Sequence, residues 1–365
     1  ESFLARHWQK QALFMPAALS RVRPAVTRNE LGWLATLDDV ESRIVFTERD
    51  GNRLRYRAET GPFDEDFLAA LPRRDWTLLV HDVEKHLPAL RKLFTLVPFI
   101  PDWRIDDLMV SFAAPGGGVG PHRDYYDVFL CQGIGVREWR ITDEDVPADR
   151  AASDDLALTR TFAGTVYEAG EGDVLYLPPG VPHWGTARRA CMTYSIGMRA
   201  PQLSDLGECL PDEEAGNPFY EDPDLDLAEA APGFISPAAA RRGASLTGAS
   251  DTEQQSVAVT LGRCATQTKD WITPETPDAD EVTVALQLLA ENGKLHVHGM
   301  TRIAWDHEHV YVNGRTLELS PTEVDFIAGI CRSRQLDGPL PDDPDMVNLA
   351  KWLLRSGTFE IPGNF

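Results

Sequence analysis

Residues 117–127 read GGVGPHRDYYD, with His122 and Asp124 separated by one residue. On an extended strand, side chains at i and i+2 project to the same side. An imidazole and a carboxylate placed this way can share one cation, although two ligands alone do not hold an ion. The third candidate is His183, which follows a tight Pro-Pro-Gly turn in GDVLYLPPGVPHWG. Two histidines and one carboxylate leave coordination positions open and suit non-haem Fe(II) in oxygenases, while Mn, Co or Ni fit the same donors. Arg137 stands on the next candidate strand, in GVREWR. A guanidinium there can anchor the far carboxylate of a keto acid in bidentate fashion. The competing reading is an ordinary surface arginine, as for Arg140.

Such a site needs strands around it. DWTLLVHDV (75–83) reads as a buried strand, and LPALRKLFTLV (87–97) as a helix started near Pro88. Residues 3–15 carry Phe3, Leu4, Trp8, Leu13 and Phe14 in a loosely helical pattern, followed by turn signals at 50–52 (DGN) and 61–63 (GPF). From Ile105 the chain turns to strands: IDDLMVSFA, then two in DVFLCQGIGVREWRIT split by Gly133 and Gly135, then TVYEA, DVLYL and CMTYSIGMRA. Short strands punctuated by Gly and Pro, without helices between them, predict a β-barrel or sandwich and disfavour a Rossmann-type sheet. The run PGGGVG lacks the Lys-Ser/Thr of a phosphate loop and precedes no helix, so its glycines read as permissive backbone near the site.

The character changes after Pro201. Residues 203–232 are acidic and Pro-rich, 237–272 predict two helical pieces, and TPETPDADE (273–281) is a linker by composition. HVYVNGRTLEL (309–319) is a hairpin around Asn313-Gly314, the favoured type I′ turn. SPTE (320–323) supplies a capping box with Pro321 at the first helical position. Hairpin plus helices predict a small winged-helix-like domain at the end. This divides the chain at 1–202, 203–275 and 276–365. His296-x-His298 and His307-x-His309 in that end domain are a second possible metal pair, more simply read as surface residues on adjacent strands.

The formal net charge is −22, which argues against a phosphate-driven grip on nucleic acid by the chain as a whole and is compatible with a basic protein partner. The five cysteines (Cys131, Cys191, Cys209, Cys264, Cys331) contain no C-x-x-C. That disfavours a disulfide framework and points to a reducing cytosol. No apolar run spans a membrane, and the first residues lack the order of a secretory signal.

The stretches 102–140 and 172–199 together resemble the JmjC-type 2-oxoglutarate oxygenases, and within them the bacterial ribosomal oxygenases that hydroxylate an arginine of ribosomal protein L-16. The resemblance implies a double-stranded β-helix (a JmjC/cupin-like barrel) followed by a helical segment that joins a homodimer and by the winged-helix-like end. It implies His122, Asp124 and His183 as iron ligands and Arg137 as the partner of the 2-oxoglutarate C5 carboxylate. It places Thr193 beside the co-substrate, and Asp107, Met109 and Tyr126 around the substrate arginine. Those residue types suit an arginine pocket, since a carboxylate pairs a guanidinium while a tyrosine face and a thioether sandwich its plane and stem. The implied reaction couples oxidative decarboxylation of 2-oxoglutarate by O₂ to hydroxylation of the arginine β-carbon, in the cytoplasm. Rival functions are hydroxylation of a ribosomal histidine, protein demethylation, and a small-molecule cupin dioxygenase, which has no need of Arg137.

Overall fold

The computed structural model describes residues 2–20, 22–23, 25–51, 53–206, 216–250 and 253–361; Asn52 of the first turn signal and Cys209 lie outside them. Two compact units emerge, Glu1–Leu96 with Ile105–Met198, and Val97–Arg104 with Arg199–Phe365.

The first unit holds the strands β1 (Leu13–Met15), β2 (Ser42–Asp50), β3 (Arg53–Thr60), β4 (Trp76–Val80), β5 (Ile105–Ala113), β6 (Val128–Ile134), β7 (Arg137–Ile141), β8 (Thr165–Ala169), β9 (Val174–Leu177), β10 (His183–Ala187) and β11 (Cys191–Met198). Among the described residues they form an antiparallel sheet ordered β1-β9-β6-β11-β5-β4-β2-β3 and a smaller one ordered β10-β7-β8. The core follows from period-2 alternation. On β5, Leu108 and Val110 are fully buried, whereas Asp107, Met109 and Ser111 line a cavity. Burial of a leucine such as Leu108 contributes about 2 kcal/mol. On β11, Tyr194 and Ile196 pack away from the cavity that Thr193, Ser195 and Gly197 face.

One local expectation is corrected. Leu13 and Phe14 are not helical: the first helix is Ser2–Arg6, and β1 pairs with β9 while Phe14 stacks on Tyr167. The helix expected to start near Pro88 is present over Pro88–Leu96, in the tighter 3₁₀ form. Of the hairpin β2–β3 the sequence signals only the turn at 50–52. β3 carries Arg53, Arg55 and Arg57 on an exposed side, so its apolar signal is thin.

In the second unit, Ser236 caps the helix Pro237–Thr247, Gly248 closes it in the left-handed conformation, and Gln254–Thr266 packs beside it. The end portion has the helix Ala279–Ala290, then β12 (Lys294–His296), β13 (Ile303–Trp305), β14 (His309–Val312), β15 (Arg315–Glu318), the helix Pro321–Ser333, β16 (Gln335–Asp337) and the helix Pro344–Arg355. Asn313 and Gly314 both have positive φ, as a type I′ turn requires, and the capping box of Ser320 and Glu323 is formed. The segment Val97–Arg104 joins this unit through Arg104, which is fully buried and donates two hydrogen bonds to Asp222 (2.9 and 3.0 Å). No described helix is long and apolar enough to cross a membrane.

Candidate active site

His122, Asp124 and His183 converge. One donor atom of each lies within 4.8 Å of the others, the only such group of three or more metal-ligating residues among the described residues. His122 Nε2 is 3.8 Å from Asp124 Oδ1, and His183 Nε2 is 3.6 Å from Asp124 Oδ2. Strand pairing, not a shared strand, produces this. His122 and His183 form an isolated antiparallel bridge, exchanging N–H···O bonds of 3.0 and 2.8 Å. The expectation that His122-x-Asp124 opens a strand is therefore corrected. Asp124 sits in irregular backbone before β6, and its carbonyl accepts from Gly180 N at 2.7 Å. The Pro-Pro-Gly turn before His183 thus fixes the carboxylate's residue as well as the histidine.

Both rings are oriented. His122 Nδ1 donates to Gly120 O and His183 Nδ1 to Val181 O, each at 3.0 Å, leaving both Nε2 atoms toward Asp124. Backbone carbonyls in this position commonly set the tautomer of a metal-binding histidine. Burial, and then His122, hold His183 down to about 4, so its imidazole is a neutral donor at physiological pH. The glycine run does what its composition suggested. A Cβ at Gly117 would lie 2.1 Å from Trp76 O, and one at Gly118 2.3 Å from Gly185 O, so only glycine lets this segment thread between β4 and β10.

The triad opens into a cavity of about 390 Å³ that also admits Arg137, Thr193, Asp107, Met109 and Tyr126. The residues expected to serve the metal, the co-substrate and the substrate therefore share one chamber of the first unit. Arg137 is buried, and its Nε and Nη2 have no hydrogen-bond partner; its guanidinium lies 5.5 Å from the centre of the Trp139 ring. A buried unpaired guanidinium is costly unless an anion meets it. Thr193 Oγ1 donates to Gln132 Oε1 at 3.1 Å, and Gln132 Nε2 is tied to the carbonyls of Ile134 and Met192. Asp107 is buried with its Oδ2 2.9 Å from His81 Nδ1. Tyr126 lines the same space, 40% exposed, its phenol pushed well up by burial and by Asp124 and Asp107.

Some neighbours escaped the sequence reading. Arg123, between the two candidate ligands in sequence, also lines the cavity, held by Asp145 Oδ1 at 2.9 Å. Asp127 is buried and accepts from Gln9 Nε2 (2.8 Å) and the Tyr176 hydroxyl. Ser195, Gly197, Trp139 and His81 also border the chamber. A signal existed for two of them. Thr193-x-Ser195-x-Gly197 is a small, polar period-2 stripe in an otherwise apolar strand, which marks a face turned to a ligand. The four C-terminal histidines do not gather. His296 ends β12, His309 begins β14 with Nδ1 3.3 Å from Asp306, and His307 packs on Phe234 and Trp305.

A JmjC domain model matches residues 92–206, and a ROXA-like winged-helix model matches residues 250–359. The Escherichia coli (strain K12) ribosomal protein uL16 3-hydroxylase is 32% identical over 99% of this chain and 97% of its own length. The chain belongs to the JmjC ribosomal oxygenases. A probable ribosomal oxygenase of Haemophilus influenzae is 34% identical over 63% of this chain and 55% of its own. The solved structure of YcfD, a ribosomal oxygenase from Escherichia coli in complex with cobalt and 2-oxoglutarate, superposes with a TM-score of 0.73 at 30% identity, covering 99% of this chain and 98% of that one. The expected β-fold with its winged-helix end agrees with these relatives.

Proposed function

We propose that this protein is a 2-oxoglutarate- and Fe(II)-dependent hydroxylase that modifies the β-carbon of one arginine in ribosomal protein uL16 (L-16). The observation that carries it is the convergence of His122, Asp124 and His183 in one chamber with the buried, unpartnered Arg137. The donor set fits a first-row divalent ion, and Arg137 fits a carboxylate. Fe(II) with 2-oxoglutarate and O₂, when bound, supplies the oxidising power, the co-substrate leaving as succinate and CO₂.

The chain's residues do the remaining work. His122 and His183 offer Nε2 with their rings held from behind, and Asp124 supplies the charge. Arg137 binds the far carboxylate of the co-substrate, while Trp139 beside it and Thr193, backed by Gln132, hold its orientation. Val128, Leu130 and Leu158 give the chamber apolar wall that excludes water around the reacting carbon. At the other end, Asp107 faces the substrate guanidinium, with Tyr126 and Met109 against its plane and stem.

The resemblance extends this reading to a homodimer joined through residues 203–275, to a cytoplasmic location, and to no direct nucleic-acid contact. The test is mass spectrometry of uL16, or a peptide of it, incubated with the purified protein, Fe(II) and 2-oxoglutarate. One arginine gains about 16 mass units. A modified histidine, or an unmodified peptide, rejects the reading.

A further inference from the structure

We propose that His81 is the positioning residue of the substrate end, clamping one oxygen of Asp107 so that the other meets the substrate cation in a space that Gly197 keeps open. This rests on the arginine reading above and adds to it the residues that make the pocket selective.

The geometry separates the two carboxylate oxygens. Asp107 Oδ2 is 2.9 Å from His81 Nδ1 and lies 3.4 Å from the backbone N–H of Asp82. Because a carboxylate only accepts, Nδ1 is the donor. Oδ1 faces the other way. It lies 3.2 Å from where a Cβ on residue 197 would be, and Tyr126 Cε2 is 3.9 Å from the same point. This follows from register, since Asp107 on β5 is the cross-strand partner of Gly197 on β11. The residue opposite the acid is thus the one that lacks a side chain.

The clamp is itself firmly mounted. His81 follows β4, and Asp82 takes a left-handed φ of 55° that starts the short helix Val83–His86. Asp82 is ion-paired with Lys85, both buried. Glu84, also buried, accepts from Leu108 N at 2.9 Å. One short segment therefore grips two successive residues of β5: Asp107 by its side chain and Leu108 by its backbone. An isolated aspartate rotates about its side-chain bonds and offers its oxygens in many directions. Held at Oδ2, this one offers Oδ1 already aimed, which lowers the ordering cost of binding a planar cation.

The test uses the full-length protein with Fe(II) and 2-oxoglutarate, and two uL16 peptides that carry either the target arginine or citrulline, its neutral isostere. His81→Leu removes the donor; His81→Asn keeps an amide nitrogen at the position of Nδ1. His81→Leu is expected to raise KM for the arginine peptide about tenfold with a smaller change in kcat, and to reduce the preference for arginine over citrulline, as loss of a hydrogen bond to a charged group implies. His81→Asn is expected to recover most of that loss. Gly197→Ala, which leaves the clamp intact, is expected to raise the same KM by crowding Oδ1, with 2-oxoglutarate affinity, measured by titration with Mn(II) in place of iron, close to that of the unaltered protein. Equal impairment in His81→Leu and His81→Asn, or an unchanged KM in His81→Leu, overturns the role of His81. An unchanged KM in Gly197→Ala overturns that of Gly197 and remains readable if His81→Leu fails to fold. Failure of the unaltered protein to modify the arginine peptide sinks the functional reading, and this proposal with it.

Discussion

His122-x-Asp124 and His296-x-His298 look alike along the chain, and each has another histidine farther on to join it. In the first unit the partner arrives, because the His122–His183 bridge sets the two ring centroids 4.1 Å apart, with Gly180 binding the Asp124 carbonyl. In the second, each histidine is absorbed by its own surroundings. His296 pairs with Gln335 across two short strands, and His298 Nδ1 accepts from Met300 N at 3.1 Å with its ionisation depressed by burial. His309 faces Glu318 on β15 and contacts Asp306. The spacing of two residues is common to both. What differs is whether the sheet brings a third donor and whether backbone carbonyls turn the free ring nitrogens inward.

Substitutions can break that contrast, beginning with the largest effect. His122→Ala or Asp124→Ala is expected to cut succinate production from 2-oxoglutarate by about a thousandfold or more, whereas His298→Ala leaves it essentially unchanged; NMR of the reaction mixture reads both. Normal succinate output from His122→Ala would falsify the metal assignment. Next, Arg137→Ala is expected to weaken 2-oxoglutarate binding by about a hundredfold. Arg137→Lys restores only part of this, since an ammonium lacks the planar fork; calorimetry with Mn(II) measures each.

The short helix Val83–His86, which grips β5, adds a pH dependence opposite in sign to that of the buried His298. Burial raises the Glu84 carboxyl from 4.5 to about 7. A folded-state value above the unfolded one means stability present at low pH and lost as pH climbs from about 4.5 through 7, by up to about 3 kcal/mol. Urea melts at pH 5 and pH 7.5 should show this slope, and Glu84→Gln should flatten it. Smallest of all, His296→Ala on the exposed end of β12 should shift stability by less than about 0.5 kcal/mol, which a thermal melt checks.

The chemistry was more legible in the sequence than its mounting. His122, Asp124 and His183 could be chosen from residue type plus the Gly and Pro signals that frame them, and the Asn313-Gly314 turn and Ser320 cap are local codes that folded as read. The bridge between residues 122 and 183 is not local, so the strand setting imagined for Asp124 was wrong even though the ligand set converged. The β2–β3 hairpin hid behind its arginines. His81 carried no pattern of its own, because its partner Asp107 lies on a strand that the chain reaches only after the 3₁₀ segment. Thr193, Asp107, Met109 and Tyr126 came from family resemblance, and the cavity brings them together through the alternation of β5 and β11 and the loop before β6.

The burial of Arg137 has a consequence for stability. A buried guanidinium whose Nε and Nη2 lack partners destabilises the ligand-free fold, and a dicarboxylate that satisfies them removes that penalty only in the native state. Binding and folding are then linked: the melting temperature rises with the logarithm of 2-oxoglutarate concentration once the site saturates. The same linkage makes the purified protein harder to digest as 2-oxoglutarate is added, because proteases cut the opened chain and the ligand holds the folded one.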